Sequence, residues 1–414
     1  NDEAAKAALA KEFGLTVAYG VNTLQKDLKY GDLMEEMDNN FKRITTVVDK
    51  TDLLYAINSS VVTKKNERNA NLDAFKANVD KNLTNDRATQ NIAVKGYASP
   101  DGPVKFNDKL SKARSESGKK VVAKLLKDSG LDIDAAAYGE DWDGFKELVE
   151  QSNIKDKDLI LQVLSLYNSP AERETEIKNM SSVFEELKEE ILPELRRSQI
   201  VNTTDLQGKT DEEIMAAYRN GGELSAEEYL FAAQVLVENP EEQIAILTAA
   251  SKKYNDARIW NNLGVAQTKA GDKEAALKSF EKAAKLDSSA ALNKNLLLAN
   301  LANCNTAEAK KYAAAADSEA KAAMAAAEGN YKSAAAGLEG YNKAIALVQS
   351  NDLAGAKKAI AKDNSAEADY LRAVIAVKEG DLKSAEAQLK SATSKNPELA
   401  KKAASDVNLK ALRK

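Results

Sequence analysis

The chain of 414 residues contains 30% charged and 43% hydrophobic residues, with 6 prolines, 19 glycines and a formal net charge of −5. This composition predicts two or three folded domains, excludes a disordered or collagen-like chain, and gives no global electrostatic reason to bind nucleic acid. Because the sequence has no histidine, Ser-His-Asp and Cys-His catalysis and histidine-ligated zinc are excluded as well.

Cys304 is the single cysteine, which excludes an intrachain disulfide and a cysteine-based zinc site. We predict that it is a small buried residue on an alanine-rich helix face. No stretch reaches 18 uninterrupted apolar residues, so no membrane-spanning helix is predicted. The chain begins at Asn1 without an initiator methionine, and we expect it to be a processed form.

Residues 1–45 have the weakest pattern in the chain. Residues 1–12 favour a helix, residues 15–19 favour a strand, and residues 33–44 favour a helix or an irregular connection. We interpret residues 1–45 as a lead-in and expect it to be the remnant of a preceding module.

Strand and helix signals alternate between residues 46 and 205. β-Branched and aromatic residues predict strands within 53–62 and at 91–97, 133–138 and 196–203. Apolar residues at helical spacing predict helices at 68–83 and 107–127, and helical patterns fill residues 142–195. The predicted fold class is α+β: a βαβαβ sandwich with inserted helices.

Helices alone are predicted after that point. We interpret residues 206–224 as a connecting helix and linker, because capping boxes begin at Thr210 and Ser225. Residues 225–414 are alanine-rich helices in which four turns share Gly or Asn, then Asp or Asn, three residues, then Ala, with a large apolar residue four positions later. The turns are Gly271-Asp272 with Ala276 and Phe280, Gly329-Asn330 with Ala334 and Leu338, Asn351-Asp352 with Ala356 and Ile360, and Gly380-Asp381 with Ala385 and Leu389. This pattern predicts helical hairpins.

Trp260, Leu263 and Gly264 complete a longer motif in one hairpin, and residues 258–289 resemble a tetratricopeptide repeat. Residues 366–397 resemble it less, and residues 318–341 and 342–364 only weakly. The turns are 58, 22 and 29 residues apart, so we expect an irregular array with a degenerate unit near residues 290–316. The resemblance implies a groove for an unidentified partner protein. Val265 follows Gly264 where one peptide-clamping subset of the family has asparagine, which disfavours binding of a C-terminal carboxylate.

A second resemblance covers residues 46–205, with the helices at 142–195 as an insertion. Residues 96–102, with the sequence GYASPDG, are followed by Asn107, Leu110, Ser111 and Arg114 in the register of the OmpA-like peptidoglycan-binding domain, and Arg196-Arg197 resembles its last strand. The resemblance implies a site for a peptidoglycan stem peptide at Ser99, Asp101, Asn107, Leu110 and Arg114. The arginine would pair with a ligand carboxylate. Ser99 stands where the family has an aspartate, and Asp101 is the candidate substitute.

The two resemblances together imply a non-enzymatic envelope protein of Bacteroidetes type, periplasmic and associated with the outer membrane. Its partners would be peptidoglycan and a protein held by the repeats, with no nucleic acid. Any membrane attachment would depend on a lipid anchor that this sequence lacks. No catalytic residue, cofactor or metal is predicted.

The alternative is a protein-interaction scaffold whose OmpA-like domain has lost wall binding. An open cavity beside Arg114 and Asp101 would favour wall binding. Salt bridges from Arg114 to the domain's own acids would favour the scaffold.

Overall fold

The computed structural model describes residues 24–413, so the predicted helix at 1–12 and strand at 15–19 lie outside the described residues. The chain divides into two compact units. We call residues 42–210 the sheet unit, and residues 24–41 together with 211–413 the array unit. Part of the predicted lead-in therefore belongs with the C-terminal helices. Among residues 24–413, no helix has both the length and the hydrophobicity needed to cross a bilayer.

The sheet unit combines four strands with helices on the connections between them. Its elements are β1 (Ile44–Leu54), α1 (Lys64–Glu67), α2 (Ala70–Leu83), β2 (Ala88–Ala98), α3 (Val104–Leu125), β3 (Ile133–Glu140), α4 (Trp142–Gln151), α5 (Lys157–Leu166), α6 (Pro170–Asn179), α7 (Ser181–Glu190) and β4 (Arg197–Gln207). The strand order is β1-β4-β2-β3; β4 pairs antiparallel with β1 and β2, and β3 pairs parallel with β2. The predicted α+β class is confirmed.

Apolar residues of α2 and α3 pack on the sheet, where Phe75, Val79 and Val122 meet Ile92 and Ile200. The inserted helices α4–α7 have a separate core, which includes Phe145, Ile160 and Leu187. Burying each of these side chains stabilises the fold by about 1.5–3 kcal/mol. The predicted helices and the last three predicted strands are confirmed within a few residues.

The first strand was placed too late by the sequence analysis. β1 begins at Ile44 and pairs with β4 along its whole length, from Ile44 opposite Gln207 to Leu54 opposite Arg197. Its first half is exposed on both faces, and it therefore lacks the alternation of buried and exposed residues that identifies a strand. Residues 55–63, which include part of the predicted strand, leave the sheet.

The array unit is helical. Its α-helices are α8 (Asp211–Arg219), α9 (Ala226–Phe231), α10 (Pro240–Ser251), α11 (Ala257–Lys269), α12 (Lys273–Ala283), α13 (Ala290–Ala302), α14 (Thr306–Ala309), α15 (Ser318–Ala327), α16 (Tyr331–Gly337), α17 (Gly340–Gln349), α18 (Leu353–Ala359), α19 (Ala366–Glu379), α20 (Leu382–Lys395) and α21 (Glu398–Ser405). Residues 24–41 lie against these helices as an irregular segment with 3₁₀ turns at Leu24–Asp27 and Tyr30–Leu33.

The four predicted turns are confirmed. Gly271, Gly329, Asn351 and Gly380 all have positive φ, the conformation that glycine adopts without strain. The residue after each one caps the next helix and accepts a hydrogen bond from a backbone N–H. The alanines at 276, 334, 356 and 385 are buried, as are Phe280, Leu338 and Ile360, and Leu389 is partly buried.

Cys304 was predicted to be buried on a helix face, and this prediction is wrong. It is exposed and has a φ of 59°, so it occupies the same position in its turn as Gly271 does in the first hairpin. The N–H of Asn305 donates to the carbonyl of Asn300, just as the N–H of Asp272 donates to Gln267, and Ala309 is buried. Cys304 therefore divides the 58-residue interval into 33 and 25 residues, and the expected degenerate unit is a hairpin with cysteine in place of glycine.

Candidate functional sites

Arg114 lies in the middle of α3 and is buried, with 1% of its surface exposed. Its guanidinium group donates hydrogen bonds to the carbonyl oxygens of Ser59 (2.9 Å), Tyr97 (2.9 Å) and Ala56 (3.4 Å). It also lies over the ring of Tyr55, 5.2 Å from the ring centroid. Burial lowers the pKa of Arg114 to about 10. The guanidinium therefore holds the irregular residues 55–59 against the end of β2.

The remaining predicted ligand residues organise the loop after β2. Ser99 donates its hydroxyl to an Asp101 carboxylate oxygen at 2.5 Å, and a second carboxylate oxygen of Asp101 lies 3.7 Å from the Arg196 guanidinium. The side-chain amide of Asn107 donates to the carbonyls of Ser99 and Gly102 and to the carboxylate of Glu140. Leu110 is half-buried, one turn further along α3.

The structure thus brings Ser99, Asp101 and Asn107 together, while the hydrogen bonds of Arg114 go to backbone carbonyls. Two geometries were expected for Arg114. An open cavity would place a ligand carboxylate beside its guanidinium, and a salt bridge would place one of the unit's own carboxylates there. The site residues stay a prediction.

A different site emerges in the array unit, where three asparagines each pair with both backbone groups of one residue of 24–41. Asn262 on α11, Asn295 on α13 and Asn342 on α17 are all buried. Each uses its amide oxygen to accept the N–H of one residue and its amide nitrogen to donate to the carbonyl of the same residue. The N–H and carbonyl distances are 2.8 and 2.9 Å for Asn262 with Met37, 2.9 and 2.7 Å for Asn295 with Glu35, and 2.7 and 3.2 Å for Asn342 with Lys29. We call these contacts the three amide clamps.

Neighbouring amides hold the clamps in position. Asn261 donates to the carbonyl of Glu35 at 3.0 Å and accepts a hydrogen bond from Asn295 at 2.8 Å. Gln234 donates to the carbonyl of Met37 at 3.0 Å. Because buried amides without partners are costly, this network fixes both the clamps and the segment that fills them.

Side chains of the segment fill the space between the helices. Leu24, Leu28, Tyr30, Leu33 and Met34 are buried in the same core as Phe280, Leu296 and Ile345. At the end of the segment, Phe41 stacks on Phe231 with ring centroids 4.3 Å apart. The segment therefore lies in a groove, with the backbone of Lys29, Glu35 and Met37 paired to amides and its apolar side chains buried.

Three lysines pair with carboxylates of the segment. Lys269 contacts Glu36 at 2.8 Å, Lys294 contacts Glu35 at 2.8 Å, and Lys402 contacts Asp27 at 2.5 Å. The Lys294 side chain is only 7% exposed and also pairs with Asp317 at 2.6 Å. Burial acts to lower the pKa of Lys294, but its hydrogen bonds to Asp317 and Glu35 outweigh burial, and its pKa is raised. Burial raises the pKa of Asp27 despite Lys402.

These clamps are not predicted from the sequence, although a signal is present in it. Asn262-Leu263 and Asn295-Leu296 are the same dipeptide 33 residues apart, at matching positions of α11 and α13. Buried asparagines repeated at the period of a helical hairpin indicate a ligand-facing row. The identity of the ligand, a segment more than 200 residues earlier, is not encoded in that repeat.

Comparison with protein-family models gives one match in this region. Residues 257–289 match the tetratricopeptide repeat family. The match covers α11 and α12, the hairpin that carries Asn261 and Asn262, and agrees with the resemblance found at residues 258–289. No match was found among curated proteins. Tetratricopeptide repeats indicate a role in protein–protein interaction.

Proposed function

We propose that this protein is a non-enzymatic interaction adaptor whose array unit binds extended segments of partner proteins. The three amide clamps carry the proposal, because they pair with backbone N–H and C=O groups and therefore recognise an extended chain. The matched tetratricopeptide repeat supports the same role. The periplasmic, outer-membrane-associated location indicated by the sequence belongs to this proposal.

Peptidoglycan binding by an OmpA-like sheet unit receives less support from the geometry. It needs an arginine whose donors are available to a ligand carboxylate. Three N–H groups of Arg114 instead bond to the carbonyls of residues 56, 59 and 97. We therefore place the interaction role in the array unit and treat the sheet unit as a domain whose arginine stabilises its own loop.

Peptide binding to the full-length chain tests the adaptor role. A site-specific protease sequence inserted between Phe41 and Lys42 allows residues 24–41 to be unlinked from the rest of the chain, which we call the cut chain. An array of 18-residue peptides of varied charge and apolar content is then applied. Peptides that bind the cut chain should bind the same cut chain carrying Asn262→Ala and Asn295→Ala at least ten-fold more weakly.

The matched control is Asn293→Ala. Asn293 lies on α13 beside the clamp, and its side chain donates to the carbonyl of Ser288 at 3.3 Å. Binding should be unchanged in this variant. If no peptide binds the cut chain in a manner that depends on Asn262 and Asn295, the adaptor proposal is wrong.

A further inference from the structure

We propose that residues 24–41 are a resident ligand of the groove, and that the partner's segment is an acidic, extended peptide of the same pattern that must displace them. This inference rests on the proposed function, because it names the partner chemistry and the regulation of the same groove. Four features of the array unit support it.

The clamps themselves do not select a sequence. Within the segment, each clamp bonds to one backbone N–H and one backbone C=O, which every residue except proline provides. A partner segment therefore needs non-proline residues where Lys29, Glu35 and Met37 now lie. Any further selectivity must come from side-chain contacts.

The lysines supply a charge requirement. Lys402, Lys294 and Lys269 face Asp27, Glu35 and Glu36, so the groove presents positive charge at three places along the bound backbone. A matching peptide has an acidic residue and then an acidic pair eight and nine positions later. Because each partly exposed pair contributes modestly, we expect neutralising all three carboxylates to weaken binding about ten-fold or more.

Apolar positions are set by the same backbone register. Leu28, Tyr30 and Leu33 lie one, three and six residues after Asp27, and all three side chains are buried. An acidic peptide without apolar residues at these positions would leave the core open. The partner's segment thus combines acidic and apolar residues at these positions, and is not simply a run of carboxylates.

Two open clefts beside the resident segment leave room for a ligand with larger side chains. A cleft of about 260 Å³ lined by Lys26 and the exposed Cys304 and another of about 360 Å³ lined by Gly31 and Lys269 both border Tyr30 and Lys273. The segment also has little internal structure beyond its two short 3₁₀ turns, so the groove itself holds most of its backbone.

Covalent attachment favours the resident segment over a free peptide. The segment is joined to the array helices through residues 42–210, which form the sheet unit. An intramolecular connection raises the effective concentration of the segment at the groove by an amount that depends on the length and stiffness of that connection. The resident segment therefore competes strongly with any peptide added in solution.

The test uses full-length chains and a fluorescein-labelled peptide of residues 24–41. In one chain, Asp27→Asn, Glu35→Gln and Glu36→Gln neutralise the resident segment without changing its shape, and we call it the neutral-segment chain. The acidic peptide should bind the neutral-segment chain at least ten-fold more tightly than it binds the unmodified chain. A peptide with the same three substitutions should bind at least ten-fold more weakly than the acidic peptide.

The cut chain provides a second measurement that does not depend on the folding of the neutral-segment chain. It should bind the acidic peptide in preference to the neutral one by the same factor. Two results would overturn this inference while leaving the adaptor role intact. One is that the acidic and neutral peptides bind the cut chain equally well. The other is that the acidic peptide binds the cut chain no more tightly than the uncut, unmodified chain. Failure of every peptide to bind the cut chain would remove both.

Discussion

Asn295→Ala should release the middle of the resident segment. The Asn295 side chain, fully buried on α13, makes hydrogen bonds to the N–H of Glu35 (2.9 Å), the carbonyl of Glu35 (2.7 Å) and the amide oxygen of Asn261 (2.8 Å). Only the two bonds to Glu35 join Asn295 to the segment, because the bond to Asn261 lies between α13 and α11. At about 1 kcal/mol net for each bond, loss of these two destabilises the docked segment by about 2 kcal/mol. The higher helix propensity of alanine acts equally with the segment docked or undocked, so it does not change this value.

Hydrogen exchange in residues 24–41, followed by mass spectrometry, measures this change. A cost of about 2 kcal/mol corresponds to roughly 30-fold faster exchange of the amides protected by the segment's docking. Asn293→Ala, on the same helix, should leave exchange in residues 24–41 unchanged. The reasoning is refuted if Asn295→Ala leaves protection of residues 24–41 unchanged, or if protection of β1–β4 falls by the same factor.

Three further predictions concern the helices of the array unit. Gly264→Ala should destabilise the fold by about 1–3 kcal/mol in thermal or chemical unfolding, because a Cβ there would lie 2.7 Å from the Phe280 ring. Adding Phe280→Leu to this variant should recover part of the lost stability. An unchanged unfolding midpoint in Gly264→Ala would contradict the packing argument. Cys304→Gly should raise the free energy of unfolding by about 0.5–1 kcal/mol, because glycine adopts the observed φ of 59° without strain. Cys304→Ala should give no such gain. A gain with alanine would assign the effect to removal of the thiol. Acidification from pH 4.5 downward should lower the free energy of unfolding of the array unit, because it protonates Glu227 and Asp256, which pair with Arg258. In unfolding measured as a function of pH, Arg258→Met should make this loss of stability less steep. An equally steep loss in Arg258→Met would exclude these ion pairs as its source.

The sign of the third prediction follows from the ion pairs of Arg258, which contacts Glu227 at 2.6 Å and Asp256 at 2.7 Å. Burial acts to raise the pKa of both carboxyl groups, but their hydrogen bonds with Arg258 outweigh it, and each pKa lies below its ordinary value of 4.5 or 3.8. Their stabilisation is therefore present above the ordinary values and is lost as the pH falls through the lowered ones.

Local chemistry made the hairpins predictable. A turn with positive φ favours glycine or asparagine, the next residue caps a helix, and a small residue must follow where the helices cross. These requirements fall within about ten residues, so they leave a visible pattern around Gly271 and Gly380. Cys304 concealed a fifth example, because cysteine is chosen far less often than glycine for this conformation.

The groove and its occupant were not predictable in the same way. Lys29 and Asn342 are 313 residues apart in sequence, and the segment that contains Lys29 has neither helical nor strand periodicity. The partners of Arg114 were missed for a related reason, since two of the three are backbone carbonyls of irregular residues near 56 and 59. Backbone acceptors carry no side-chain signature, so the sequence could not indicate these hydrogen bonds.

The position of the resident segment also sets a schedule for biosynthesis. Glu35 is translated 260 residues before Asn295, an interval of roughly 10–50 s at ordinary elongation rates. During that time Leu24, Leu28 and Tyr30 lack the later helices of their core, and the nascent chain exposes an apolar stretch that is prone to aggregation. A chain that ends before α13 lacks Asn295 and Leu296, so that stretch is left without part of its groove.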